Sequence, residues 1–223
     1  ERFETTSLRV AMRFSRTALR STGLKFSVNA QVKALRGMQV PVSSGKLYDL
    51  LDDFEDAHLL FKVGDFTLSI KENPRSSSKV YAVDPGLSLA VAPANHMDIG
   101  QRLDTAVFVE LKRRYGDNRS NVIASYSAAN CSEVDFVVGD EATSEPYQLI
   151  QVAANTGIEA TTIVDFAGRD LSDKFRSEIG NLSAAMDNTG MRSGTLISLE
   201  EEGQVTVLSG VIDVVPAWKW FLR

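Results

Sequence analysis

Apolar positions in the first sixty residues recur at helical spacing, punctuated by glycines and a proline. In "TSLRVAMRFSRTALR", residues 6–20, Leu8, Met12 and Leu19 fall near one face with arginines at most other turns. That pattern predicts an amphipathic helix, ended by Gly23. "LKFSVNAQVKALRG", residues 24–37, predicts a second helix closed by Gly37. Pro41 breaks the pattern, Ser43 or Ser44 offers a cap, and Leu47, Leu50, Leu51 and Phe54 form the stripe of a third helix. The period then shortens: "LLFKV" and "FTLSI" read as short strands, "KENPRSSS" as a polar loop and "KVYAVD" as a strand. Pro85-Gly86 predicts a turn, and Pro93 to Asp98 a hinge. "IGQRLDTAVFVELKRRYG" predicts a helix closed by Gly116. After it, "VIASYS", "SEVDFVV" and "YQLIQV" predict a meander, "LSDKFRSEIGNLSAAMDNTG" a helix, and "GTLISL" and Val211 to Val215 two more strands. In the closing "AWKWFLR", a strand or tail would set Trp218 and Trp220 on one side, where packing is the expected role.

This order predicts an α/β fold, α+β over the whole chain, with 223 residues enough for two domains. Small helices followed by a hairpin with a long tip have the order of a winged helix, expected over residues 1–92. A helix, an antiparallel meander, a crossover helix and further strands predict a mixed sheet flanked by helices over residues 93–223.

Charge changes the picture of the first part. Residues 1–50 carry nine Lys/Arg against three Asp/Glu, while the whole chain has a net charge of −5. Arg9, Arg13, Arg16, Arg20, Lys71, Arg75 and Lys79 are therefore candidate contacts for nucleic acid. The predicted third helix, which enters the major groove in winged-helix proteins, instead carries Asp49, Asp52, Asp53, Glu55 and Asp56. Those charges repel phosphate and suit protein docking better. The single cysteine, Cys131, excludes an internal disulfide and suits a reducing, cytoplasmic compartment. No apolar run is long enough to span a bilayer, so no membrane partner is expected. The charged start, without Met, reads as that of a fragment of a longer protein. Gly45-Lys46 lacks the flanking residues of a phosphate-binding loop, so the chain itself is not expected to bind ATP.

Candidate chemistry centres on two carboxylates. Asp104 shares a helix face with Phe108 and Leu111, and Asp135 interrupts the apolar run "EVDFVV". Glu133, Asp135 and Val137 should share one strand face, and Tyr147, Leu149, Gln151 and Ala153 another. If both faces meet the helix of Asp104, then Asp104, Asp135 and Gln151 converge. The bland alternative gives Asp135 a scaffold role, accepting hydrogen bonds near Gly100 or pairing with Arg102. Arg113 and Arg114 read as charges matched to the helix C-terminus, and His96 as a surface residue.

The blocks "KVYAVDPGL", "GQRLDTAVFVELKRR", "EVDFVV…LIQVA" and "VIDVVPAWKWFL" resemble the C-terminal region of bacterial and archaeal ATP-binding proteins of the AAA+ superfamily. The resemblance implies an upstream ATPase module, which would be the part using ATP and Mg²⁺, then a winged-helix segment and a domain similar to PD-(D/E)xK nucleases. In the nuclease pattern a helix Glu, a strand Asp and a Glu-x-Lys pair hold Mg²⁺ and activate water. Carried over, the helix acid falls on Asp104 and the strand acid on Asp135, which become the candidate metal ligands. Glu-x-Lys falls on Gln151 and Ala153, which supply neither the charge nor the amine. Glu133 could stand in as a ligand and Lys112 or Lys174 as the base. The expectation is a non-catalytic binding and regulatory module that contacts nucleic acid or a partner protein. The alternatives are a Mg²⁺-dependent nuclease with a reshaped site and a structural oligomerisation domain.

Overall fold

The computed structural model describes residues 5–66, 78–91, 99–116, 120–154, 164–165 and 173–223. The chain divides into two compact units, Glu1–Val63 with Ser76–Asp98, and Gly64–Arg75 with Ile99–Arg223. The expected boundary at 92/93 falls in residues 92–98, outside the described residues, as do the expected hinge and His96.

The first unit runs α1 (Thr5–Arg20), β1 (Leu24–Lys25), α2 (Val28–Gly37), α3 (Ser44–Asp56), β2 (Leu60–Val63), β3 (Lys79–Ala82) and α4 (Pro85–Val91). Its antiparallel sheet has the order β1-β3-β2. The core joins Val10, Phe14 and Ala18 of α1 to Val28, Val32 and Leu35 of α2 and to Leu47 and Leu51 of α3. The stripe on α1 thus differs in part from the expected one: Leu19 is buried as expected, but its companions are Val10, Phe14 and Ala18, at i, i+4 and i+8, whereas Leu8 and Met12 are half exposed. Either set fits a helical period, and the aromatic Phe14 decides, because it packs against Phe26 and Phe54 with ring centroids 5.5 and 6.0 Å away.

Leu24 and Lys25, read as helix, pair with Val80 and Lys79 instead. Gly23 makes this possible: at φ 75° it turns the chain, and its N–H bonds the Val80 carbonyl. Helix α2 begins only at Val28, with the Ser27 side chain accepting from the Ala30 N–H. It ends at Gly37 as expected, with Met38 as the C-cap, but the left-handed residue lies two positions on. Gln39 takes φ 61° while the Val40 N–H reaches back to the Leu35 carbonyl, 3.1 Å away. Ser43 caps α3 as expected, accepting from Lys46. The Pro85-Gly86 "turn" is the first turn of α4. Proline is pre-set for that position, and the Asp84 carboxylate accepts the Gly86 N–H at 2.6 Å. The expected strand "FTLSI" lies, beyond Phe66, outside the described residues.

In the second unit, α5 (Ile99–Tyr115) precedes β4 (Asn121–Ala128), β5 (Cys131–Asp140), β6 (Glu145–Val152), β7 (Val164–Asp165), α6 (Asp173–Thr189), β8 (Ser193–Ser198), β9 (Gly203–Val207), β10 (Gly210–Pro216) and α7 (Ala217–Phe221). The mixed sheet has the order β4-β5-β6-β8-β10-β9-β7. Strands β4, β5 and β6 form an antiparallel meander, and β8 lies parallel to both β6 and β10. Helices cover both faces. Phe175, Ile179 and Leu182 of α6 share a core with Val137, Leu149, Leu196 and Ile212. On the opposite face Phe108 of α5 stacks on Phe136, centroids 6.3 Å apart. The fold class is therefore mixed α/β.

Strands β7 and β9 were not foreseen; β9 has only five residues and alternates weakly, with Val205 alone fully buried. The closing segment is a helical turn and not a strand. Two positions along a helix differ by about 200°, so Trp220 is buried while Trp218 is 59% exposed.

Candidate functional site

At two places strand β5 carries one more residue than β4 can match, and one of them concerns Asp135. Tyr126 lies opposite Val134 and Ala124 opposite Val137, so an irregularity falls between them. Val134 and Val137 consequently both face the α6 core, which strict alternation forbids. Asp135 sits in this bulge. Its Oδ2 accepts the Val152 N–H of β6 at 3.0 Å, and its own N–H donates to Oε1 of Gln151 at 3.3 Å. Gln151 Nε2 donates in turn to Oε2 of Glu178 on α6, at 2.5 Å. Gln151 is 4% exposed. An amide suits such a place, since it accepts on one side and donates on the other without carrying charge. The β5–β6 ladder holds at Phe136–Ile150 and is continued beyond it by side chains.

The expected convergence is met in part. Asp135 and Gln151 come together, and Ala153 is buried on the same face. That face meets α6 and not the helix of Asp104. Asp104 lies on α5, which packs against the opposite side of the sheet through Phe108. The physical reason is which helix covers that face: Val137 pairs with Leu149 and both pack on α6, so alternation along β6 carries Gln151 and Ala153 to the α6 side as well. Among the described residues, no group of three or more His, Cys, Asp or Glu side chains could hold a metal ion. Glu133 is half-buried; burial, with the Glu133 charge second, pushes the neighbouring Cys131 thiol above its usual range. Glu178, the member that sequence reasoning missed, carries a weak signal: it lies between Phe175 and Leu182 on a helix whose stripe faces the sheet. Lys112 is exposed on the last turn of α5, and nothing is described of the Lys174 side chain.

A second feature lies in the first unit. Arg9, Arg13, Arg16 and Arg20 follow one another at i, i+4, i+7 and i+11 along α1 and are all exposed. They border a groove of about 660 Å³ whose other lining residues are Val10, Met12, Thr17, Leu35 and Val40. Among the described residues, no acidic one lines it. Arg20 donates to the Val91 carbonyl at 2.6 Å. Of the other expected basic contacts, Lys79 is 4% exposed and so cannot reach a phosphate: it is part of β3 and pairs with β1 and β2 on either side. Lys71 and Arg75 lie outside the described residues. On α3, Asp52 and Glu55 are both held by Lys62, at 2.5 and 2.9 Å. Burial pulls the Lys62 ammonium down, but its bonds to Asp52 and Glu55 outweigh that, and its pKa is raised. Asp49, Asp53 and Asp56 remain exposed at i, i+4 and i+7, opposite the buried Leu47 and Leu51.

The arginines at the end of α5 do more than match the helix terminus. Arg113 and Arg114 both bind the Glu110 carboxylate. Arg114 also donates to the Trp220 carbonyl at 2.7 Å, with its guanidinium 4.2 Å from the centroid of the Trp220 ring. It anchors α7.

Among curated proteins, the chain is similar to an uncharacterized protein of Methanocaldococcus jannaschii, 27% identical over 203 residues, which are 89% of this chain and 41% of that protein. The chain thus spans about two fifths of that relative's length. No family model matches it. No solved structure matches it either. No helix among the described residues is long and apolar enough to cross a membrane.

Proposed function

We propose that this chain is a non-catalytic binding and regulatory module of an AAA+ ATP-binding protein: a winged-helix segment followed by a PD-(D/E)xK nuclease-like domain whose site has become part of the scaffold. The helix and strand order of the first unit, with a hairpin sheet ordered β1-β3-β2, supports the first assignment. The run α5-β4-β5-β6-α6-β8, with β8 parallel to β6, supports the second.

The observation that carries the reading is the use to which Asp135 is put. A carboxylate serving a metal keeps its oxygens for the ion and for substrate phosphates. Here one oxygen is spent on a main-chain N–H of the next strand. Gln151, standing where the nuclease pattern has a ligand carboxylate, is spent on Asp135 and Glu178. Ala153 leaves the position of the activating amine empty, and loss of such a group costs about 10²–10⁴-fold in rate. In this reading the contact with nucleic acid or a partner protein is transmitted to the ATPase module, and ATP and Mg²⁺ belong to that module.

The test is thermal melting of the 223-residue chain in EDTA and in millimolar Mn²⁺, alongside incubation with labelled plasmid. A melting temperature unmoved by the metal, with intact plasmid, is expected. A metal occupying the site at a hundred times its Kd would stabilise by about 2.7 kcal/mol. Such a shift, or cleavage abolished by Asp135→Asn, would restore the nuclease reading.

A further inference from the structure

The arginine row of α1 has a regularity that solvation alone does not require. From Arg9 to Arg20 it covers eleven positions, about 16 Å at 1.5 Å per residue. That is the axial length of about five nucleotides of one strand at 3.4 Å each. All four residues are arginine, whose planar fork binds phosphate in bidentate fashion. Among the described residues, no ion pair engages Arg9, Arg13 or Arg16. Among the described residues, the groove beside them is aliphatic, from Val10, Met12, Leu35 and Val40, with no aromatic ring in its lining. Unstacked bases are held on aromatic rings, so this wall does not suit a single strand. It suits the sugar edges of a strand whose bases remain stacked. The element that reads bases in winged helices, α3, turns Asp49, Asp53 and Asp56 to solvent.

We infer that α1, and not α3, is the nucleic-acid contact, and that Arg9, Arg13 and Arg16 grip the phosphate backbone of duplex DNA without reading its sequence, with Arg20, held by the Val91 carbonyl, at the end of the row. The inference rests on the binding-module reading above and names the ligand class and the element that meets it. Each of the three gripping arginines takes one phosphate, and the backbone runs along the groove between α1 and the end of α2. Affinity comes from released counterions, so it is salt-dependent and indifferent to base order.

The experiment is fluorescence anisotropy of the 223-residue chain with a labelled 20-base-pair duplex, titrated between 50 and 200 mM salt. The expected log–log slope is about 3, at about 0.9 per phosphate neutralised. Replacing Arg9, Arg13 and Arg16 together by alanine should lower the slope by about one per residue. The Arg→Lys triple should keep the slope and lose affinity. A scrambled duplex should bind equally, and the matching single strand more weakly. Unchanged duplex binding by the alanine triple would overturn the inference and leave the binding-module reading standing. No duplex binding by the wild type, or preferential capture of polyglutamate, would overturn it too and point to an acidic protein partner. Circular dichroism of each variant guards against loss of folding. The metal and cleavage assay above is independent of all these outcomes, so the two proposals fail separately.

Discussion

At the residue scale, Asp135 distinguishes a scaffold from a catalyst. Its carboxylate satisfies a strand N–H where the β5–β6 ladder gives way. Asp135→Ala should therefore cost about 1–3 kcal/mol, the scale of an orphaned polar group, seen as a lower urea midpoint. Asp135→Asn should recover more than half, because an amide oxygen accepts the same N–H. A catalytic acid would show the reverse pattern, with activity lost in both variants and stability little changed. Glu110 makes a pH-dependent prediction. Its hydrogen bond from Arg113, aided by Arg114, lowers its pKa from 4.5 to about 2. A depressed carboxylate stabilises the fold above its unfolded pKa and loses that contribution as pH falls through the folded value. The melting advantage of wild type over Glu110→Gln should be largest near neutrality, shrink below about 4.5 and vanish near 2. Its size is about 1 kcal/mol, since the network lies near the surface.

At the element scale, much of the layout was legible because spacing and caps agreed. Ser43 before Leu47 and Leu51 located α3, and Gly116 closed α5. What was not legible turned on competition between equivalent patterns. Leu8 and Met12 fit a helix as well as Val10 and Phe14 do, and only the partners Phe26 and Phe54 choose between them. Gln39 at φ 61° is another case: the glycine two residues earlier drew the reading away from a glutamine held in a left-handed turn. Gln39→Gly should raise stability by about 0.5–1 kcal/mol by relieving that conformation, read as a higher melting temperature. Gly210 shows the opposite case. At φ 150°, with the Arg192 carbonyl where a Cβ would stand, it admits no side chain. Gly210→Ala should destabilise severely, by more than about 2 kcal/mol.

At the scale of the molecule, the candidate site was legible as a list of residues and not as an arrangement. Asp135 and Gln151 were found from strand periodicity, and they do meet. The bulge at Asp135 could not be read from "EVDFVV", because an inserted residue leaves no mark on composition. The pair meets on the α6 face, where alternation along β6 sets Gln151 between Leu149 and Ala153 and within reach of Glu178. The charge asymmetry was legible too, but where it lies depends on burial, which removes Lys79 and leaves the α1 row. Since that row is exposed and Arg9, Arg13 and Arg16 have no ion pair to lose among the described residues, the alanine triple should melt within about 0.5 kcal/mol of wild type.

Strand β10 comes after every other strand in the chain yet lies inside the sheet, between β8 and β9. Until it arrives, β8 and β9 each have a bare edge, and Leu196 and Val205 lack the neighbours that Val214 and Ile212 provide. On the ribosome, the meander and α6 can form while residues 210–216 are still inside the exit tunnel, but the finished sheet cannot. A nascent chain stalled before Gly210 is released should expose two sticky edges, bind chaperones and resist native-like protection from protease. Release of about seven more residues should change all three at once.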